Sequence, residues 1–229
     1  MPEKFIRFVK DVYGTNSSIP LHEPTFGETE KLQLMETLES TFVSSVGSNI
    51  AEFESEIKKF TGARGTVATV NGTAALHTSL VLAGVKNGDL VITQAISFVA
   101  ACNAISYLGA NPIFVDVERA SLGLCPDAAS EWLEQNAYVD DQGICRHNRS
   151  KSPIKAILVV HTFGHPARLG ELLDICKKWR LILIEDAAEA LGSYYRDKHT
   201  GTFGRFGCLS FNGNKIITTG GGGMILSKL

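Results

Sequence analysis

Seven short apolar runs rich in β-branched residues, three of their connections holding segments of helical periodicity, constrain this chain more than any other feature. The runs lie at 66–70, 90–93, 112–117, 156–161, 181–185, 208–211 and 224–227. Segments 73–83, 97–107 and 169–179 between them carry apolar residues at helical spacing. A helix between two strands is a crossover, and crossovers leave successive strands parallel, with helices on both faces of the sheet. The expectation is an α/β fold with a seven-stranded, mostly parallel sheet. The runs at 208–211 and 224–227 are joined by a dozen residues without helical pattern. That connection is too short for a crossover helix, so the last strand is expected to be antiparallel. Residues 1–62 read as a helical lead-in, with helices at 28–40 and 50–60, and 63–229 as the sheet-bearing part of a single domain. The polar, turn-rich stretch 140–153 reads as an exposed loop.

Composition excludes several classes of function. A chain of 229 residues with 44% apolar and 20% charged residues is ordinary for a globular protein with a substantial core. A formal net charge of −2 gives no electrostatic ground for a nucleic-acid or anionic-membrane partner. No apolar run approaches the roughly 20 residues that span a bilayer, and Met1-Pro2-Glu3-Lys4 does not open a secretory signal, so a cytoplasmic protein is expected. Five widely spaced cysteines, an odd number without metal-ligand spacing, read as reduced thiols. His161 and His165 flank Thr162-Phe163-Gly164. Gly164 and Pro166 argue for a loop there, not the helix that would converge both imidazoles on one ion, so no metal site is expected. The closing Ser227-Lys228-Leu229 continues an apolar strand and is not read as a peroxisomal address.

The chemistry points to the carboxyl ends of the strands, where open α/β sheets bind ligands. Lys215 follows Cys208-Leu209-Ser210-Phe211 and sits among small residues, close to Gly220-Gly221-Gly222-Gly223. An amine held where water is scarce loses proton affinity and can attack an aldehyde. Asp186 ends the run Ile182-Leu183-Ile184-Glu185, where a carboxylate could pair with a pyridinium nitrogen. Asn71-Gly72-Thr73-Ala74 opens a helix whose free N–H groups would suit a phosphate. Ser97-Phe98 follows the second run and could lay an aromatic face over a flat heterocycle. Each piece alone has an ordinary explanation: a solvated lysine, a helix cap, a turn. Their order along the chain, each at a strand-to-loop junction, points to pyridoxal 5′-phosphate (PLP).

Six stretches resemble the DegT/DnrJ/EryC1/StrS sugar aminotransferases, PLP enzymes of fold type I. They are Phe42-Val43-Ser44-Ser45-Val46-Gly47, Asn71-Gly72-Thr73-Ala74-Ala75-Leu76, Ser97-Phe98-Val99-Ala100, Val160-His161-Thr162-Phe163-Gly164-His165-Pro166, Glu185-Asp186-Ala187-Ala188-Glu189 and Ser210-Phe211-Asn212-Gly213-Asn214-Lys215. The resemblance implies that Lys215 attaches the cofactor covalently and then shuttles protons. It implies that Asp186 pairs with the ring nitrogen and that Phe98 stacks on the ring. Gly72, Thr73 and Ala74, with the Ser210 hydroxyl, would hold the phosphate. Glu189 stands where the family contacts the cofactor's 3-oxygen, a position where glutamine or histidine is frequent. Within the family the chain is most similar to the LegC-type branch. That branch implies amino transfer, with glutamate as donor, to C4 of a UDP-linked 4-keto-6-deoxy-N-acetylhexosamine on the route to legionaminic-type sugars. A homodimer with shared sites is also implied, Ser44-Ser45-Val46-Gly47-Ser48 forming a wall of the pocket. Family members continue into a smaller C-terminal domain, and this sequence stops at Leu229.

Three other readings compete. A dehydratase of the same family would carry histidine in place of Lys215. A truncated, PLP-binding but inactive fragment would keep the fold and turn nothing over. A dinucleotide-binding oxidoreductase would need a glycine-rich turn that opens a helix, whereas Gly201-Thr202-Phe203-Gly204-Arg205-Phe206-Gly207 precedes a strand.

Overall fold

A computed structural model describes residues 2–43 and 47–228. Three helices come first: α1 (Pro2–Tyr13), α2 (Glu28–Glu39) and α3 (Ser48–Thr61). Then follow β1 (Gly65–Thr69), α4 (Gly72–Leu82), β2 (Leu90–Gln94), α5 (Val99–Ser106), β3 (Asn111–Val115), α6 (Pro126–Asn136), β4 (Ala137–Val139) and β5 (Cys145–His147). The remaining elements are β6 (Ile154–Val160), α7 (Leu169–Trp179), β7 (Ile182–Asp186), β8 (Tyr194–Tyr195), β9 (Lys198–His199), β10 (Phe206–Ser210) and β11 (Gly223–Ser227).

The main sheet has seven strands in the order β1-β11-β10-β7-β6-β2-β3. Its β10-β7-β6-β2-β3 portion is parallel throughout, and β11 runs antiparallel to both its neighbours. Both expectations for the sheet hold. Side chains alternate faces along each strand, as the period of two requires. In β6, Ile157 and Val159 pack with Leu133 and Leu172 on the α6/α7 face. Ala156 and Leu158 point the other way, with Leu76, Leu80 and Ile105 of α4 and α5. A third cluster joins Ile57 of α3 to Leu209, Met224 and Leu226 at the other end of the sheet.

Two expectations need correction. Residues 140–153 are not wholly a loop: Cys145–His147 pairs antiparallel with Ala137–Val139 as a hairpin, and Cys145 is buried. Asp140 shapes its turn, Oδ1 accepting from the N–H groups of Gln142 and Ile144. The segment 97–107 begins its helix only at Val99, with Ser97 in a bend and Phe98 in extended backbone. Helices α1 and α6 were not anticipated.

The glycines at 220–223 have a packing reason at one position. Gly223 opens β11 so close to the Asn71 carbonyl and the Gly72 nitrogen that a Cβ there would clash with backbone. That contact presses the start of α4 against the ends of β10 and β11.

Candidate active site

Local chemistry places each candidate side chain at the carboxyl end of a strand. Asn71 caps α4, its Oδ1 accepting from the Ala74 N–H at 2.8 Å. Gly72 and Thr73, at the first two helical positions, make no hydrogen bond to the protein through their N–H groups among the described residues. Two donors at the positive end of a helix therefore stay available for an anion. A Cβ on Gly72 would lie 2.9 Å from the Ser210 Cβ, so glycine is what lets the β10 end close this cradle. Among the described residues the Ser210 hydroxyl has no partner, and Ser210 lines the same space. Ala74 departs from the expectation: its N–H is taken by the Asn71 cap, and it does not line the cavity.

Asp186 closes β7 at 5% exposure. Among the described residues its carboxylate accepts one hydrogen bond, from the Ala188 N–H to Oδ1 at 3.1 Å. Burial pushes its pKa up, with the Ala188 bond and the charge on Lys215 pulling the other way. A buried carboxyl so poorly satisfied is suited to a cationic N–H partner. Lys215 rides the loop between β10 and β11, cinched where the Phe211 N–H donates to the Gly222 carbonyl and the Thr219 N–H to the Phe211 carbonyl. Its Nζ donates to Glu189 Oε1 at 3.0 Å. Phe98, 73% exposed, presents its ring to the cavity from the cap of α5.

These residues line one cavity of about 530 Å³, which also takes in Ile96, His161, Phe163, Asn212 and Asn214. The volume falls in the range typical of small-molecule sites. The structure thus brings Gly72, Thr73, Phe98, Asp186, Glu189, Ser210 and Lys215 together and leaves Ala74 out. The expected pocket wall at Ser44, Ser45 and Val46 lies outside the described residues.

Behind this cavity is a buried polar cluster that was not anticipated. Glu185 is fully buried, beside Asp186 in sequence. Its Oε1 accepts from the N–H groups of Phe203 (2.7 Å) and Gly204 (2.6 Å). Its Oε2 accepts from the Gly201 N–H at 2.8 Å and from His161 Nε2 at 3.1 Å. His161 Nδ1 in turn accepts from the Ala167 N–H at 3.2 Å, which assigns the ring proton to Nε2. Burial would raise the Glu185 pKa, but the His161 bond and the backbone donors together hold it below the usual glutamate value. Both His161 nitrogens are therefore committed to the protein.

The chain is similar in sequence and in fold to known proteins. The family model for the DegT/DnrJ/EryC1/StrS aminotransferases matches residues 24–228. The GDP-perosamine synthase of Caulobacter vibrioides is 37% identical over 210 residues, 92% of this chain and 52% of that protein. Its namesake from Vibrio cholerae is 36% identical over 210 residues, again 92% of this chain and 53% of that protein. An aminotransferase structure from Psychrobacter cryohalolentis superposes with a TM-score of 0.80 at 29% identity, over 93% of this chain and 50% of its own. The chain spans about half the length of the curated relatives it matches.

Proposed function

Because the chain belongs to the DegT/DnrJ/EryC1/StrS aminotransferase family, whose members are PLP-dependent, we propose that it carries the cofactor site of a sugar-nucleotide aminotransferase. The amino donor is glutamate. The acceptor is a 4-keto-6-deoxy sugar nucleotide, a UDP-linked N-acetylhexosamine as in the LegC-type branch. One observation carries the reading: Lys215, Asp186 and the Gly72–Thr73–Ser210 cradle, from three separate segments, face one cavity.

The residues present fit PLP. The N–H groups of Gly72 and Thr73 and the Ser210 hydroxyl would hold its phosphate, and the Phe98 ring would cover one face of its pyridine. Asp186 would take the ring N–H. At about 4 Å and an effective dielectric near 20, that pairing is worth roughly 4 kcal/mol before desolvation is subtracted. When bound, PLP supplies an aldehyde that captures amines and a protonated ring that withdraws electrons. Lys215 Nζ would attach the cofactor and, once displaced by the incoming amine, carry a proton from the substrate carbon. Glu189 holds that Nζ at 3.0 Å and so fixes where the amine waits. Lysine at 215 disfavours the dehydratase reading, because that branch carries histidine in its place.

A second subunit contributes to the site in this reading, as in other fold type I enzymes, and the assembly is a homodimer. The test is a half-reaction. Protein loaded with PLP and freed of excess cofactor is mixed with glutamate, and 2-oxoglutarate is measured. The proposal expects about one equivalent of 2-oxoglutarate per loaded chain, and further turnover once the 4-keto sugar nucleotide is added. Loaded protein that releases no oxo acid from any amino acid would refute it.

A further inference from the structure

Phe163 lies on the turn after β6 with φ 53° and ψ 27°, the left-handed region that a bulky side chain occupies only at a cost. Its ring is nonetheless 75% exposed, so the strain is not offset by burial of the side chain. The surrounding structure enforces it. Thr162, just before it in the chain, is buried, and its Oγ1 accepts from Gln94 Nε2 and donates to the Leu122 carbonyl, both at 3.0 Å. Gln94, at 0% exposure, also accepts through Oε1 from the N–H groups of Leu124 and Val160. On the other side, Gly164 has φ +81°, and a Cβ there would lie 2.5 Å from the Glu189 carbonyl. The turn is therefore wedged between the Gln94 hub and the Glu189 backbone, and it holds an aromatic ring at the cavity wall. Phe98 and Phe163 are the two phenyl rings among the described lining residues.

The same cavity has a polar rim. Asn212 Nδ2 donates to Asn214 Oδ1 at 3.0 Å, which leaves Asn212 Oδ1 and Asn214 Nδ2 without a partner among the described residues. An aromatic face beside uncommitted amide groups complements a ligand with an apolar ring face and a hydroxyl-bearing edge. A 6-deoxyhexose fits: its ring C–H groups and C6 methyl form the apolar face.

We infer that Phe163 is a specificity-determining residue whose strained backbone holds its ring against the C–H and methyl face of the hexose of the sugar nucleotide. The inference rests on the proposed function, since it assigns Phe98 to the cofactor and Phe163 to the substrate. Rigid presentation matters because a fixed backbone already aims the Cα–Cβ bond, so the turn needs no ordering on binding.

The test uses the PLP-loaded chain and the UDP-linked 4-amino-4,6-dideoxy-N-acetylhexosamine, the product of the proposed reaction. Calorimetry gives affinity, and saturation-transfer NMR reports which sugar protons lie against the protein. The unchanged protein should saturate the C6 methyl and ring protons, and Phe163→Asn should lose about tenfold in affinity together with the methyl signal. Asparagine tolerates left-handed backbone, so the variant should melt no lower than the unchanged protein. Phe163→Tyr should restore most of the affinity. Equal affinity in Phe163→Asn, no sugar-nucleotide binding by loaded protein, or a lower melting temperature in Phe163→Asn with the methyl signal intact would each overturn the inference. Failure of the unchanged protein to load PLP would instead sink the underlying function, so the two failures are distinguishable.

Discussion

Replacing Glu185 by glutamine changes one atom of a fully buried side chain, and its effect follows from the bonding around it. Each carboxylate oxygen accepts two N–H groups: Phe203 and Gly204 at Oε1, Gly201 and His161 Nε2 at Oε2. Whichever way the new amide is turned, its NH₂ faces two donors. His161 offers no relief, because a tautomer with the proton on Nδ1 would set it against the Ala167 N–H. Two charge-assisted bonds are lost and two buried donors are left unpaired, at about 1–3 kcal/mol each. Relief from burying a charge offsets part of this, so the net loss should be about 2–4 kcal/mol, a large share of the roughly 5–15 kcal/mol that holds a domain together. Urea unfolding at pH 7 measures it. The pH dependence gives a second check. The Glu185 pKa is lower in the folded chain than in the unfolded one. Its contribution is therefore present above about pH 4.3, the unfolded value, and is lost as pH falls through the folded value. The gap between the two proteins should narrow in acid. A difference within about 0.5 kcal/mol at pH 7 would refute the reasoning, since that is the range of an unremarkable surface change.

Three further outcomes are expected. Asp186→Asn should still load PLP through the cradle and Phe98 but release 2-oxoglutarate from glutamate at least about 100-fold more slowly, because a neutral amide does not hold the ring proton; near-normal release would reduce Asp186 to a structural role. Gly72→Ala, whose Cβ would stand 2.9 Å from the Ser210 Cβ, should weaken PLP retention about tenfold in equilibrium dialysis by opening the cradle, and unchanged retention would move the phosphate elsewhere. Light scattering at micromolar concentration should find a dimer, and a strict monomer that retains PLP would contradict a shared site.

The sheet was legible because its period-two and helical patterns are long-range and redundant. The β10–β11 connection is too short for a crossover, and the structure makes β11 antiparallel. Lys215 and Asp186 stood out because each residue type near a strand end suggests one chemistry, and the structure brings both to one cavity. The geometry corrected what local reading misses. Ala74 lies in the same turn as Gly72, yet its N–H goes to Asn71, a competition that spacing does not reveal. The role of Glu185 was hidden because its donors at 201–204 are remote in sequence. The glycines at 201 and 204 looked like a failed nucleotide fingerprint, whereas their N–H groups bind Glu185. Phe163 gave no sign of strain, because φ is a property of the fold around it. Helix α6 carries a readable start, Cys125 followed by Pro126 at its first position, and could have been found from it.

In the proposed function Lys215 carries the cofactor. Loading the chain with PLP, fixing the adduct with borohydride and mapping it by peptide mass spectrometry tests this directly. The phosphopyridoxyl group should lie on Lys215 alone, and Lys215→Ala should take up none while keeping the fold by circular dichroism. A stoichiometric adduct on any other lysine, or an unchanged adduct in Lys215→Ala, would place the cofactor elsewhere.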